Sequence, residues 1–142
     1  MKVSDIMTDK VVSVGKDEPV LTAARLLKRY NVGSLPVVDG EKRLRGIITD
    51  RDIALRCVAA EGDPHSVRVS EIMSRGIITV APDDLVDSAV RCMSDDQVRR
   101  LPVVEDGRLV GMVSLCDMAR SRSCEMEAAE ALAEISSNIR RR

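Results

Sequence analysis

The sequence predicts an α/β (α+β) fold built from two copies of a β-α-β-β-α unit, with short sheets packed against helices and one more helix at the C-terminal end. Three observations carry that prediction. VSDIM at Val3 to Met7 returns as VSEIM at Val69 to Met73, and VVSV at Val11 to Val14 returns as IITV at Ile77 to Val80. SLPVVDG at Ser34 to Gly40 is answered by RLPVVED at Arg100 to Asp106, and GIITDRD at Gly46 to Asp52 by GMVSLCD at Gly111 to Asp117. The offset is about 66 residues through LPVV and about 65 after it, so the second copy lacks one residue in the intervening turn.

Within each copy, Ser4 and Ser70 are expected to cap a short helical turn that carries an Ile-Met pair. VVSV and IITV are β-branched runs and read as short strands. Pro19 suits a first helical turn, and Val20, Ala23, Ala24 and Leu27 follow at i, i+3, i+4 and i+7. Val86, Ala89, Val90 and Met93 keep the same stripe in the second copy. LPVV is a continuous apolar run, as in a strand covered on both faces, and Asp39-Gly40 and Asp106-Gly107 mark tight turns into the next strand. Those strands, Leu44 to Thr49 and Leu109 to Ser114, end at the repeated junction, after which the chain turns helical. The boundaries read as repeat 1 over 1–60, a linker over 61–68, repeat 2 over 69–119 and a helical tail over 120–142. The tail is free of Gly and Pro from Asp117 to Ile139, and Met126, Ala129, Leu132, Ala133 and Ile139 could form an apolar stripe. Arg140 to Arg142 would complement the helix dipole as a solvated end.

Composition narrows the function. A formal net charge of -1 supplies no field for nucleic acid or an anionic membrane surface, and the absence of Trp and Phe removes the platforms on which bases stack. No apolar run has the length of a membrane span and the start carries no signal-peptide core, so a soluble, cytoplasmic protein is expected. Cys57, Cys92, Cys116 and Cys124 are scattered and the single histidine, His65, lies in the linker. That spacing supplies no metal cage, and the thiols read as idle. With no nucleophile-base pair in view, an enzyme is not expected.

The chemistry concentrates at the two junctions. A hydroxyl and a carboxylate at a strand end leading into a helix can both reach a ligand near free backbone N–H groups. One carboxylate can accept from two adjacent ribose hydroxyls, which suits Asp52 and Asp117, while Thr49 and Ser114 can meet phosphate oxygens. A plainer reading stands beside this one: Asp52 and Asp117 could serve only as N-caps.

Two copies of a β-α-β-β-α unit bearing LPVV and a Gly, two apolar residues, Ser or Thr, and an Asp three positions later resemble a tandem pair of CBS domains, also called a Bateman module. The resemblance runs from Val3 to Ala119, and TDRDI at Thr49 to Ile53 is similar to the wording of small stand-alone CBS-pair proteins. It implies pseudo-two-fold symmetry, two clefts between the repeats that take AMP, ADP, ATP or S-adenosylmethionine, regulation of another protein, and pairing into a homodimer. No cofactor is required by this reading, and the ligand is a small adenosyl compound. Carried over by position, the resemblance implies one cleft from Thr49, Asp52, Ile47 and Ser34 with the strand around Ile78. The other would take Ser114, Asp117, Met112 and Arg100 with the strand around Val12.

The copies differ at these positions. Arg99 and Arg100 stand where repeat 1 has Gly33 and Ser34, which favours a phosphate at the Asp117 cleft. Asp50 could repel a phosphate at the other cleft unless Arg51 offsets it. Arg99 and Arg100 could also pair with surface carboxylates. A rival expectation is a ligand-free dimerisation scaffold whose C-terminal helix recruits an unidentified protein partner.

Overall fold

The computed structural model describes residues 1–120 and 125–141. Cys124, Arg142 and the side chains of Met126, Ile139, Arg140 and Arg141 lie outside what is described. The chain gathers into two compact units that cut across the sequence repeats. One unit holds Val12–Ile77 with Gly107–Leu109; the other holds Met1–Val11, Ile78–Asp106 and Val110–Arg142. Each repeat therefore gives its opening segment to the unit formed by the other repeat.

In the first unit, β1 (Val14–Gly15), β2 (Ser34–Val38) and β3 (Leu44–Thr49) form one sheet in that order. β1 runs parallel to β2, with Val14 opposite Val37, and β2 runs antiparallel to β3, with Ser34 opposite Thr49 and Leu35 opposite Ile48. Residues Leu35 through Val38 are all buried, as the apolar run requires. Helix α1 (Val20–Tyr30) connects β1 to β2 and buries Val20, Ala23 and Leu27. Pro19 is its N-cap and so precedes the first turn, with φ -65 and ψ 150; Asn31 closes it at φ 52, in the left-handed region Asn tolerates. Beyond β3, α2 (Asp50–Asp52) continues into a π-helical turn, Ile53–Val58, which buries Cys57.

The unit is completed by α3 (Val69–Ile72), the opening segment of repeat 2. Val69 and Ser70 donate their N–H groups to the carbonyls of Glu18 and Lys16, and Ser74 exchanges both backbone hydrogen bonds with Ile47 at 2.8 and 3.0 Å. Val69, Ile72 and Met73 enter the same core as Leu35, Val37 and Ile48.

The second unit repeats the plan with the opening segment of repeat 1. A 3-10 turn, Val3–Asp5, donates from Val3 and Ser4 to the carbonyls of Asp84 and Pro82, and Thr8 exchanges both backbone bonds with Met112 at 2.8 and 2.9 Å. Helix α4 (Val86–Asp96) buries Val86, Ala89, Val90 and Met93 and ends at Gln97 with φ 59. β4 (Arg100–Glu105) and β5 (Arg108–Ser114) form a two-stranded sheet, followed by α5 (Leu115–Ala119) and α6 (Glu125–Arg141).

Several sequence expectations change here. Ser4 and Ser70 are not N-caps: Lys2 and Arg68 hold those positions, and their N–H groups are taken by the carboxylates of Asp5 at 2.8 Å and Glu71 at 2.7 Å. A carboxylate three positions into the turn can cap from inside, which frees the serine. The strand expected over Ile77–Val80 shrinks to one parallel bridge between Val80 and Val103. Ile78 and Thr79 are exposed, so β-branching alone does not supply a partner edge. Asp106-Gly107 turns with φ 53 and 80, as a two-residue hairpin turn demands, whereas the longer first connection places its left-handed residue at Lys42, φ 63, instead of Gly40. α5 closes at Ala119 with Arg120 as its C-cap, and α6 is described over Glu125–Arg141. The buried stripe of α6 is Ala128, Ala131 and Ile135, against α4 and α5; Ala129, Leu132 and Ala133 face outward.

The glycine that opens each junction motif is explained by the exchanged segments. A Cβ on Gly46 would lie 2.7 Å from the Ser74 carbonyl oxygen and 2.8 Å from Met73 Sδ; one on Gly111 would lie 2.6 Å from Met7 Sδ and 3.0 Å from the Thr8 carbonyl oxygen. Both Gly46→Ala and Gly111→Ala are expected to destabilise the fold by about 1–3 kcal/mol, the usual range for overpacking. Gly46→Ala should be the worse, because a backbone oxygen yields less readily than a methionine tip. Urea unfolding of both variants checks the order.

The longer turn carries a pH-sensitive carboxyl. Partial burial opposes ionisation of Asp39, but the N–H groups of Arg43 and Glu41 and the Arg45 guanidinium outweigh it and hold the carboxyl below its usual range. A depressed value in the folded state means stability that is present above the ordinary carboxylate range and lost as pH falls through the folded value. Asp39→Ala should therefore lower Tm at pH 7, with the gap to the unsubstituted protein closing under acid conditions.

Candidate functional site

Each junction is a reciprocal pair of hydrogen bonds. Thr49 Oγ1 accepts from the Asp52 N–H at 2.9 Å, and Asp52 Oδ2 accepts from the Thr49 N–H at 3.0 Å. Ser114 and Asp117 repeat the arrangement at 3.1 and 2.9 Å. The plain N-cap reading of the aspartates is thus corrected in form: the hydroxyl residue is the cap, and the aspartate, at the third helical position, reaches back to it. One oxygen of each carboxylate is committed to this cap. The other, Oδ1, is what a ligand could use.

The two Oδ1 atoms have different surroundings. Asp52 is 8% exposed, the one buried charged residue among those described. The Ser74 hydroxyl lies 3.3 Å from its Oδ1 and 3.4 Å from its Oδ2. Arg56 Nη1 stands 3.9 Å from Oδ1 while it donates to the Ile72 carbonyl at 3.0 Å. Asp117, with a side chain 15% exposed, has among the described residues only the open Arg120 guanidinium, at 3.9 Å from its Oδ1. Burying a carboxylate without partners is unfavourable, so Asp52 is satisfied by residues that Asp117 does without.

Around these pairs the sheet sets the neighbours. Ser34 is registered opposite Thr49, and Ile47 bridges Ser74, whose hydroxyl meets Asp52, so these residues are neighbours in one unit. In the other unit Met112 bridges Thr8 two residues before Ser114. The Asp50 N–H donates to the Gly33 carbonyl at 3.1 Å and the Leu115 N–H to the Arg99 carbonyl at 3.0 Å, which puts Gly33 and Arg99 at corresponding places beside their junctions. Arg99 and Arg100 are exposed and form no ion pair among the described residues, so the surface pairing considered for them is not what is seen. Arg51 likewise forms none. Ile78 belongs to the unit of the Asp117 junction and Val12 to that of the Asp52 junction.

Sequence reasoning missed Ser74, Thr8 and Arg56. The first two had a signal: a hydroxyl residue follows the repeated Ile-Met in both copies, Met7-Thr8 and Met73-Ser74. Arg56 had none, because its role depends on α3 coming from the other repeat. Cavities of about 310 Å³ beside α4 and α6 and about 250 Å³ beside β1 and Asp39 do not include the junction residues. No group of three His, Cys, Asp or Glu side chains among the described residues is placed to hold a metal, and no helix among them is long and apolar enough to cross a membrane. His65 faces Asp63 within the linker, 3.2 Å from its Oδ1.

Comparison with known proteins shows the family. The family profile of the CBS domain matches twice, over residues 3–58 and 69–123. The CBS domain-containing protein YhcV of Bacillus subtilis is 40% identical over 134 residues, 94% of each chain. Hypoxic response protein 1 of Mycobacterium tuberculosis is 36% identical over 116 residues, 82% of this chain and 81% of that one. A crystal structure of Hypoxic Response Protein I with two coordinated zinc ions superposes with a TM-score of 0.78 at 34% identity, covering 85% of this chain and 98% of that one. The CBS domain pair of protein MJ0100 in complex with 5'-methylthioadenosine and S-adenosyl-L-methionine superposes with a TM-score of 0.72 at 34% identity, covering 84% and 94%.

The capping role of the junctions has a separable consequence. Ser114→Ala removes one hydrogen-bond acceptor at the start of α5 and should lower stability by about 1 kcal/mol, within the range known for such caps. Thr49→Ala should do the same for α2, and chemical denaturation of the two variants measures both.

Proposed function

Because the chain belongs to the CBS domain family, with two copies in tandem, we propose that it is a non-enzymatic regulatory module that binds an adenosine-containing ligand at the Asp52 and Asp117 junctions and acts as a homodimer. The observation that carries this reading is the repeated junction, in which Oδ2 of the aspartate is tied to the N–H of the capping residue and Oδ1 is left outside the cap. The adenosyl ligands of the related MJ0100 domain pair support the ligand class. The ribose diol would donate to Oδ1 of Asp52 or Asp117, a bond strengthened by the charge of the acceptor. Ile47 or Met112 would lie along the base, and Thr49 or Ser114 would meet the group on the 5′ carbon.

At the Asp117 site, the unpaired Arg99 and Arg100 supply positive charge for a phosphate, and Oδ1 needs no rearrangement to accept a diol. The fit to a phosphorylated nucleotide is therefore better there. At the Asp52 site a diol competes with the Ser74 hydroxyl.

Isothermal titration with AMP, ADP, ATP and S-adenosylmethionine tests the proposal, and absence of binding at millimolar concentrations removes it. Asp117→Ala should remove the tighter AMP binding and leave only the weaker binding at the Asp52 site, whereas Asp52→Ala should reduce total AMP uptake only slightly. Equal losses from the two substitutions would contradict the assignment of phosphate to the arginine-flanked site.

A further inference from the structure

We infer that Asp50 sets the ligand class of the Asp52 site, rejecting adenosyl compounds with an anionic 5′ group and accepting those whose 5′ group is uncharged or cationic. The inference rests on the proposed adenosyl binding and adds a rule for what each junction takes.

Asp50 follows the capping hydroxyl of Thr49 directly, and its backbone is pinned by the bond to the Gly33 carbonyl. Its Oδ1 accepts from the Arg51 N–H at 2.8 Å, which fixes the carboxylate locally. Its Oδ2 lies 3.6 Å from where a Cβ on Gly33 would be, so the negative charge hangs over the place from which Arg99 projects in the other copy. Arg51 makes no ion pair with it among the described residues, and neither does any other cation. The charge is exposed and uncompensated at the mouth of the site. In the Asp117 junction the same position is Leu115, with Arg99 and Arg100 alongside. One junction thus presents an unpaired carboxylate where the other presents two unpaired guanidinium groups.

With the ribose held by Asp52, the substituent on its 5′ carbon comes nearest Thr49 and Asp50. A phosphate there meets like charge, a thioether meets no charge, and a sulfonium meets opposite charge. An exposed charge pair at contact distance changes affinity by about three- to tenfold, less at high salt. That is too little to create a site and enough to sort ligands between two sites that share the same diol contact.

The test uses the whole chain carrying Asp117→Ala, which leaves the Asp52 site to be read alone. AMP, 5'-methylthioadenosine and S-adenosylmethionine are titrated into it with and without Asp50→Asn, which removes the charge and keeps an oxygen for the Arg51 N–H. The expected result is that Asp50→Asn tightens AMP by about three- to tenfold, weakens S-adenosylmethionine by a similar factor and leaves 5'-methylthioadenosine unchanged. These shifts should shrink as salt is raised. Equal changes for all three ligands, or none, would overturn the role of Asp50 while leaving adenosyl binding in place. Failure of every ligand to bind even the unsubstituted protein would overturn the parent reading instead, and this inference with it.

Discussion

The constraint on which both units depend is the docking of a foreign opening segment against the strand that leads to each junction. Two reciprocal backbone hydrogen bonds do this in each case, between Ile47 and Ser74 and between Met112 and Thr8. Without them the edge of that strand would be left with unpaired N–H and C=O groups, and Met73 would leave the core it shares with Ile48. The close approach is possible only because Gly46 and Gly111 carry no side chain. Glycine here serves space and not conformational freedom, since neither residue has a positive φ.

This docking explains why the two repeats need one another. Each core contains residues from both: Val69, Ile72 and Met73 in one, Val3 with Met7 beside it in the other. The first repeat on its own would lack α3 and expose the apolar face against which α3 packs. The core is nearly free of aromatics, so it is filled by many medium-sized aliphatic and sulfur-containing side chains, and methionines sit at the closest approaches. Met adapts its shape to such gaps more readily than a branched residue does.

What the sequence made legible follows from the range of each signal. The stripes of α1 and α4, the buried LPVV strands and the residues of both capping pairs are local patterns, and local patterns predict local structure well. The exchange of opening segments involves contacts 16 or more residues apart, for which no single sequence holds a periodic trace; Arg56 becomes visible only through it, and the repeated hydroxyl at Thr8 and Ser74 gains its meaning there. The stripe of α6 was misplaced by one residue for a different reason. Ala128 and Ala131 compete with Ala129 and Leu132 at the same helical spacing, and composition hardly separates them. Contact with α4 and α5 chose the first set, where two alanines admit close helix approach and Ile135 fills the remaining space. The strand expected at Ile77–Val80 failed because β-branching describes a residue's fit to extended backbone, not the presence of an edge to pair with.

The capping pair and the proposed ligand contact use the same aspartate, and this double use is physically economical. A surface carboxylate on a free side chain must lose rotamer freedom before it can hold a diol, which weakens binding. Asp52 and Asp117 lose that freedom on folding, because Oδ2 is already tied to the backbone N–H of Thr49 or Ser114. Oδ1 is thereby aimed before any ligand arrives. The same tie leaves the exposed part of the junction free to vary: the cap asks nothing of the side chains of Asp50 and Arg51, which face outward in one unit, nor of Cys116, which does so in the other. Leu115 is held by a different demand, because it is buried in the core of its unit. Charge can therefore differ at the exposed positions while the diol contact stays fixed, and divergence there can alter what each site accepts without disturbing how either unit folds.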